Sequence, residues 1–125
     1  MVEQIRREMK CWGSVAHIFL SEKAAVSHLR VDRGFRCSRH YHKDRANQFF
    51  VVFGTIIVEE WIDNASTETT LGAGQSHTVP SGVLHRFRVR NTGEVIEVYW
   101  PDNGGAVRLD DIVRLDEGGR DVDGP

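Results

Sequence analysis

The chain has 125 residues, 40% of them hydrophobic and 27% charged, with a formal net charge of −2 at pH 7. That length bounds it to one domain with a real core, and a near-neutral chain without a basic stripe excludes nucleic acid as an expected partner. Cys11 and Cys37 are too few and too dispersed for a disulfide framework or a zinc knuckle. No apolar run approaches the roughly 20 residues of a membrane span and no signal-peptide core opens the chain, so a cytoplasmic protein with free thiols is expected.

In chain order, Val2, Ile5 and Met9 give residues 1–10 a period compatible with one short helix, covering an end of the fold or a partner subunit. Trp12-Gly13 opens a strand to Leu20, and Ala25 to Val31 is a second, with Leu29 and Val31 on one face and Val26, His28 and Arg30 on the other. Asp32-Arg33-Gly34 is a turn. Asn47 to Phe53 is strongly β-prone and apolar on both faces after Gln48, which predicts burial on both sides. Gly54-Thr55 is expected to turn the chain into Ile56 to Ile62, and Asp63 to Ser66 to loop it back through Thr67 to Leu71.

Gly72-Ala73-Gly74 precedes a strand ended by Pro80. Leu84 to Val89 alternates, with His85, Phe87 and Val89 on one face and Arg86, Arg88 and Arg90 continuing the other. Asn91 to Glu94 reads as a hairpin turn into Val95 to Trp100, and Leu109 to Leu115 as a last strand. From Asp116 onward Gly, Asp and Arg dominate and a frayed tail is expected. Short strands punctuated every eight to twelve residues predict an all-β antiparallel sandwich or barrel.

The chemistry concentrates in two stretches. His40 and His42 stand one residue apart before the apolar run, so on an extended strand both rings leave the same face. Such a pair reaches one metal ion only with further ligands, and Pro80-Ser81-Gly82-Val83-Leu84-His85 delivers the best one. Both stretches resemble the paired motifs of the cupin superfamily. Gly34, His40, His42 and Gly54 fall on the first motif, with Asn47 at its glutamate position; Gly74, Pro80, Gly82 and His85 match every term of the second. The resemblance implies a single-domain cupin, a double-stranded β-helix or jelly-roll barrel, over residues 12–116, with a short segment at 1–11 and a flexible tail at 117–125.

The flanks narrow the likeness. Trp12-Gly13, Val51 to Thr55, Pro80 to Arg86, Ile96-Glu97-Val98 and Asp110 to Leu115 together are similar to the cupin domain of type II mannose-6-phosphate isomerases, often fused to mannose-1-phosphate guanylyltransferases. Matched by position, the family's glutamine falls on His40, its histidines on His42 and His85, and its glutamate on Asn47. The implied metal set is therefore His40, His42, Asn47 and His85, with Gln48 as the ligand in place of Asn47 if the strand slips by one residue. Imidazoles suit a transition metal rather than Mg or Ca; Zn, Fe, Ni or Mn is expected.

Arg86, beside His85, is the candidate for binding a sugar phosphate bidentately, against a solvated face for all three arginines. Glu59, Glu60 and Glu97 are available as a base, and alternation places none of them in a pocket. His17 reads as structural, His77 as surface or sheet packing, His28 as either pocket or surface, and Cys37 as a packed small hydrophobe. The resemblance implies a metal-assisted aldose–ketose isomerase of a sugar or sugar phosphate; a homodimer is expected, joined through exposed edges or the N-terminal segment. Two alternatives stand beside it: a three-histidine non-haem iron dioxygenase, favoured by Asn47, and a non-catalytic sugar-binding cupin.

Overall fold

The structure, a computed structural model, describes residues 1–121. Among these residues there is no helix. The strands are β1 (Arg7–Lys10), β2 (Gly13–Leu20), β3 (Ala25–Val31), β4 (Phe35–Arg36), β5 (His40–Tyr41), β6 (Ala46–Ile62), β7 (Ala65–Leu71), β8 (Ser76–Val79), β9 (Leu84–Trp100), β10 (Val113–Arg114) and β11 (Gly119–Arg120). They form one curled antiparallel sheet. Along its main path the order is β1-β2-β3-β9-β4-β11, while β6 joins β7, β8 and β9, and β5 joins β9 and β10.

The frame is the pairing of β6 with β9, each 17 residues long. The sequence suggested turns at Gly54-Thr55 and at Asn91 to Glu94; the structure has neither. Both strands run on through these positions and bend together, with register shifts between Val51 and Ile56. The bend is a close backbone approach. A Cβ on Gly93 would lie 2.0 Å from the Phe53 carbonyl oxygen, and one on Gly54, whose φ is 90°, would lie 2.8 Å from Gly93 Cα. Glycine in a strand marks a bulge or such an approach as readily as a turn.

The inner face carries Val15, Leu29, Val31, Phe49, Val51, Ile56, Val58, Leu71, Val79, Phe87, Val89 and Val95 as one cluster. Each large side chain so buried contributes about 1.5–3 kcal/mol. The expected two-sided burial of Asn47 to Phe53 does not hold: Phe50 is 41% exposed and Val52 43%, because before the bend only one face of β6 meets the core. The β6–β7 connection is a two-residue turn at Asp63 and Asn64, both at positive φ (52° and 64°), as right-twisted hairpins favour.

Both ends of the described chain join the sheet. The helix expected over residues 1–10 is instead β1 in part, paired with β2 from Arg7↔Ala16 to Lys10↔Gly13. An isolated helix of that length is marginal in water, while the β2 edge supplies backbone partners at once; Met9, 80% exposed, packs on nothing. At the other end Gly119–Arg120 pairs with β4 rather than fraying. Asp121 anchors it, receiving a hydrogen bond from Arg88 Nε at 3.0 Å and facing Arg36 at 3.6 Å. The remainder of the expected tail, 122–125, lies outside the described residues. The expected last strand shrinks to Val113–Arg114, which pairs with His40–Tyr41.

Candidate metal centre

His40 sits on β5, directly opposite His85 on β9 in the register and Arg114 on β10. His42 follows β5, and the Gly82 amide donates to its carbonyl at 2.7 Å. This bond ties the Pro-x-Gly turn of the second motif to the histidine pair of the first; Gly82 has φ 81°, which glycine adopts without strain. The three rings meet with centroids 5.1 Å (His40–His42), 4.5 Å (His40–His85) and 5.3 Å (His42–His85) apart. Each offers a ligand atom within 4.8 Å of the other two.

The backbone sets the tautomers. Nδ1 of His40 donates to the Ser38 carbonyl at 2.7 Å, that of His42 to Asp111 at 2.7 Å and that of His85 to Val83 at 2.8 Å. Each Nδ1 therefore carries the proton, and each Nε2 holds a free lone pair, the arrangement that outer hydrogen bonds impose on metal-ligating histidines. His42 Nε2, His85 Nε2 and Asn47 Oδ1 are buried with no partner among the described residues. Burial holds all three imidazoles neutral: His40 falls well below the ordinary histidine range, His85 is lowered, and His42 drops to about 3 with the Arg45 charge adding to burial. Three convergent neutral imidazoles, two of them with Nε2 orphaned in the interior, fit a divalent transition metal.

Asp111 braces this shell. Its carboxylate accepts from the Lys43 and Asp44 amides, both at 2.9 Å, while its carbonyl holds His42. Asn47, fully buried, donates through Nδ2 to Glu97 Oε2 at 2.8 Å. The register carries no slip at this point: Asn47 faces inward, and Gln48 pairs across to Thr78 and Val98 on the outer face of β6. Glu97 also accepts from the Tyr99 hydroxyl, and burial raises its carboxyl above the ordinary range.

A cavity of about 800 Å³ opens against this cluster, lined by His40, His42, Arg45, Glu97, Tyr99 and Trp12 among others. Arg86 is not among the lining residues. Alternation sends it to the opposite face of β9 from His85, where its Nε donates to Glu59 at 3.0 Å and its guanidinium lies 5.5 Å from the Trp61 ring. Arg88 shares that face, donating to Glu59 and Glu68 at 3.1 Å, so the expected solvated face is instead a half-covered ion-pair network. His77 pairs with Glu60, and His28 with Glu94 at 3.2 Å beyond the core. His17 bonds Ser27 Oγ at 2.8 Å. Cys37 is a packed thiol, pushed up to about 12 by burial.

Sequence reasoning missed Arg45 and Tyr99 as site residues and could not place Glu97. The signal for two of them was present. On β9 the buried residues His85, Phe87, Val89, Val95, Glu97 and Tyr99 keep one parity through the bend at Gly93. Reading a turn there broke the count.

A curled all-β sheet whose bent long strands close over three convergent imidazoles defines a cupin with a three-histidine cluster. The family model described as mannose-6-phosphate isomerase, C-terminal, matches residues 1–117, and the chain belongs to that family. It is 29% identical over 113 residues to the xanthan biosynthesis protein XanB of Xanthomonas campestris, covering 90% of this chain and 23% of XanB. To the alginate biosynthesis protein AlgA of Pseudomonas aeruginosa it is 31% identical over 107 residues, 85% of this chain and 21% of AlgA. The chain thus spans less than a quarter of these relatives. Among solved structures, oxalate decarboxylase from Bacillus subtilis superposes with a TM-score of 0.75 at 19% identity, over 89% of this chain and 30% of that one, a likeness of fold. Among the described residues no helix is long and apolar enough to cross a membrane.

Proposed function

We propose that the chain is a metal-dependent aldose–ketose isomerase of small sugars or sugar phosphates. One observation carries the reading: Glu97, a buried carboxylate, lines the same cavity as the three-histidine cluster. His40, His42 and His85 would hold the ion through Nε2, with Asn47 Oδ1 as the fourth protein donor. The bound ion would supply electrophilic polarisation of the substrate carbonyl, acidifying the neighbouring C–H.

The chain's own groups do the rest. Glu97 takes the proton from one carbon and returns it to the next, while the hydroxyl proton of the second carbon passes to the former carbonyl oxygen. The Asn47 amide and the Tyr99 hydroxyl fix the Glu97 carboxylate between them, so it meets the substrate in one orientation. The surrounding apolar walls, Phe49 and Phe87 among them, keep bulk water from the exchanging proton. Family membership supports the substrate class; small uncharged or anionic sugars fit the cavity's mixed polar and aromatic lining.

The test is proton exchange at the carbon next to the carbonyl, followed by NMR in D₂O for mannose 6-phosphate and fructose 6-phosphate. Wild type should interconvert them, and Glu97→Gln should lose exchange while retaining its metal. Full activity in Glu97→Gln would remove the proposed base.

A second reading, a three-histidine iron dioxygenase, is favoured by one feature: Asn47 leaves the cluster without a ligating carboxylate. Oxygen consumption by the Fe(II)-loaded protein, absent from the Zn-loaded one, would select it.

A further inference from the structure

Before the bend, the outer face of the sheet carries Phe19 on β2, Val26 on β3, Val98 and Ile96 on β9, and Phe50 and Phe53 on β6. The register sets Phe19 beside Val26, Val26 beside Val98, Ile96 beside Phe50, and Phe53 beside Glu94. Together they make one diagonal apolar stripe across four strands. Phe19 is 53% exposed, Phe50 41% and Phe53 50%, while the three aliphatic residues are half-buried. Beyond the bend the outer face is different. There Arg86 and Arg88 pair with Glu59, and Arg88 also with Glu68 and Asp121, so the chain covers that half with its own ion pairs. The stripe holds no charged side chain, and contiguous exposed apolar surface of this kind marks an interaction site.

The flanks of the stripe suit a second copy of the chain. On one side stand Arg7, His28, Arg30 and Glu94. Arg7 donates to Ser14 Oγ at 2.8 Å and to His28 Nδ1, and His28 Nε2 donates to Glu94 at 3.2 Å. On the other side stand Gln48, Ser76 and Thr78, polar and uncharged. A twofold axis along the stripe sets apolar surface on apolar surface and the charged flank of each copy on the neutral flank of the other, so no like charges meet.

The size is also sufficient. Five strands (β2, β3, β9, β6 and β8) at about 4.8 Å spacing and seven residues at about 3.4 Å give a face of roughly 24 by 24 Å, about 570 Å² in plane before side chains add relief. Stable interfaces take about 600–1,000 Å² from each partner. Other occupants fit less well. Residues 122–125 offer one aliphatic side chain, Val122, too little to cover the stripe. Addition of a strand at an edge is blunted, since β1 and β8 have four residues each and Pro80 follows β8.

We propose that this face is the interface of a symmetric homodimer, two copies stacking outer sheet on outer sheet along the stripe from Phe19 to Phe53. The contact moves the expected dimer from the edges and the N-terminal segment to a sheet face. It is independent of the isomerase reading, because the histidines and the cavity lie on the inner side and keep their metal whether the copies pair or not.

The experiment is analytical ultracentrifugation of tag-free protein between about 1 and 100 µM, the range in which an interface of this size associates or binds tighter. Wild type should sediment at twice the mass of the 14.2 kDa chain. Phe50→Glu and Phe19→Glu each place one carboxylate per copy in the apolar contact and should weaken dimerisation at least about 100-fold. Circular dichroism and metal content should stay those of wild type, and the second site guards against a folding failure at the first. Phe50→Leu should weaken the dimer less than Phe50→Glu. Ile62→Glu and Leu115→Glu, at residues as exposed and apolar but off the stripe, should leave it intact. A wild type that stays monomeric throughout overturns the proposal and leaves the stripe to a different protein. A dimer undiminished in Phe50→Glu and Phe19→Glu, or dissociated as fully by Ile62→Glu or Leu115→Glu, also overturns it.

Discussion

Mild acid should unfold the metal-free protein through its histidine cluster. In the folded chain His40, His42 and His85 are buried and neutral, and His42 protonates only near pH 3 against an ordinary value of 6.5. In the unfolded chain all three take up protons as pH falls below about 6.5. The unfolded state then binds more protons, so stability is intact above that pH and is lost from 6.5 downward, for His42 until about pH 3. At about 1.36 kcal/mol per pH unit, His42 by itself accounts for roughly 5 kcal/mol over the window. His40 and His85, lowered by the same burial, steepen the loss, against about 5–15 kcal/mol of total stability. Glu97 opposes them: its carboxyl is raised from 4.5, so its contribution grows as pH falls. Asp116, where burial is outweighed by the Arg39 hydrogen bonds and charge, is lowered from 3.8 and acts only below about pH 5. Urea titrations followed by tryptophan fluorescence at pH 7.5, 6.5, 5.5 and 5.0, after chelation, measure the slope. Stability unchanged between pH 6.5 and 5.0 would refute the burial of neutral imidazoles.

Three further outcomes follow from single contacts. Gly93→Ala drives a Cβ to 2.0 Å from the Phe53 carbonyl oxygen, so it should cost at least about 3 kcal/mol in urea unfolding or prevent folding; a loss under 1 kcal/mol would mean the bend relaxes freely. Arg88→Ala leaves Glu59 with Arg86 and Asp121 with Arg36 and should cost about 1.5–3 kcal/mol, measured by thermal melting. Asp111→Ala frees the Lys43 and Asp44 amides that brace His42 and should weaken metal binding about 10-fold in a competition titration with a chromophoric chelator.

The site was legible where chemistry and spacing coincide. His40, His42 and His85 were named from two local patterns, and the structure brings their rings together because Gly82 bonds across to His42. Strand identities were readable from alternation, as in Leu84 to Val89. The rest depended on long-range contacts. Gly54 and Gly93 carry the same local signal as turn glycines, and only their mutual approach makes them a bend. The partners of Arg86 and Arg45 lie far along the chain, so sequence proximity to a ligand favoured Arg86, while β9 alternation points it away. The β1 edge pairing was likewise invisible, since a period of three or four residues over ten says nothing about the strand waiting beside it.

The most direct test of the three-histidine centre is elemental analysis of tag-free protein purified without added metal, alongside His42→Ala and His85→Ala. The account predicts about one transition-metal ion per wild-type chain, lost from both variants while their circular dichroism stays that of a β protein. Wild type that holds no metal, even after incubation with Zn, Mn and Fe(II) and desalting, would contradict it, as would variants that keep a full complement.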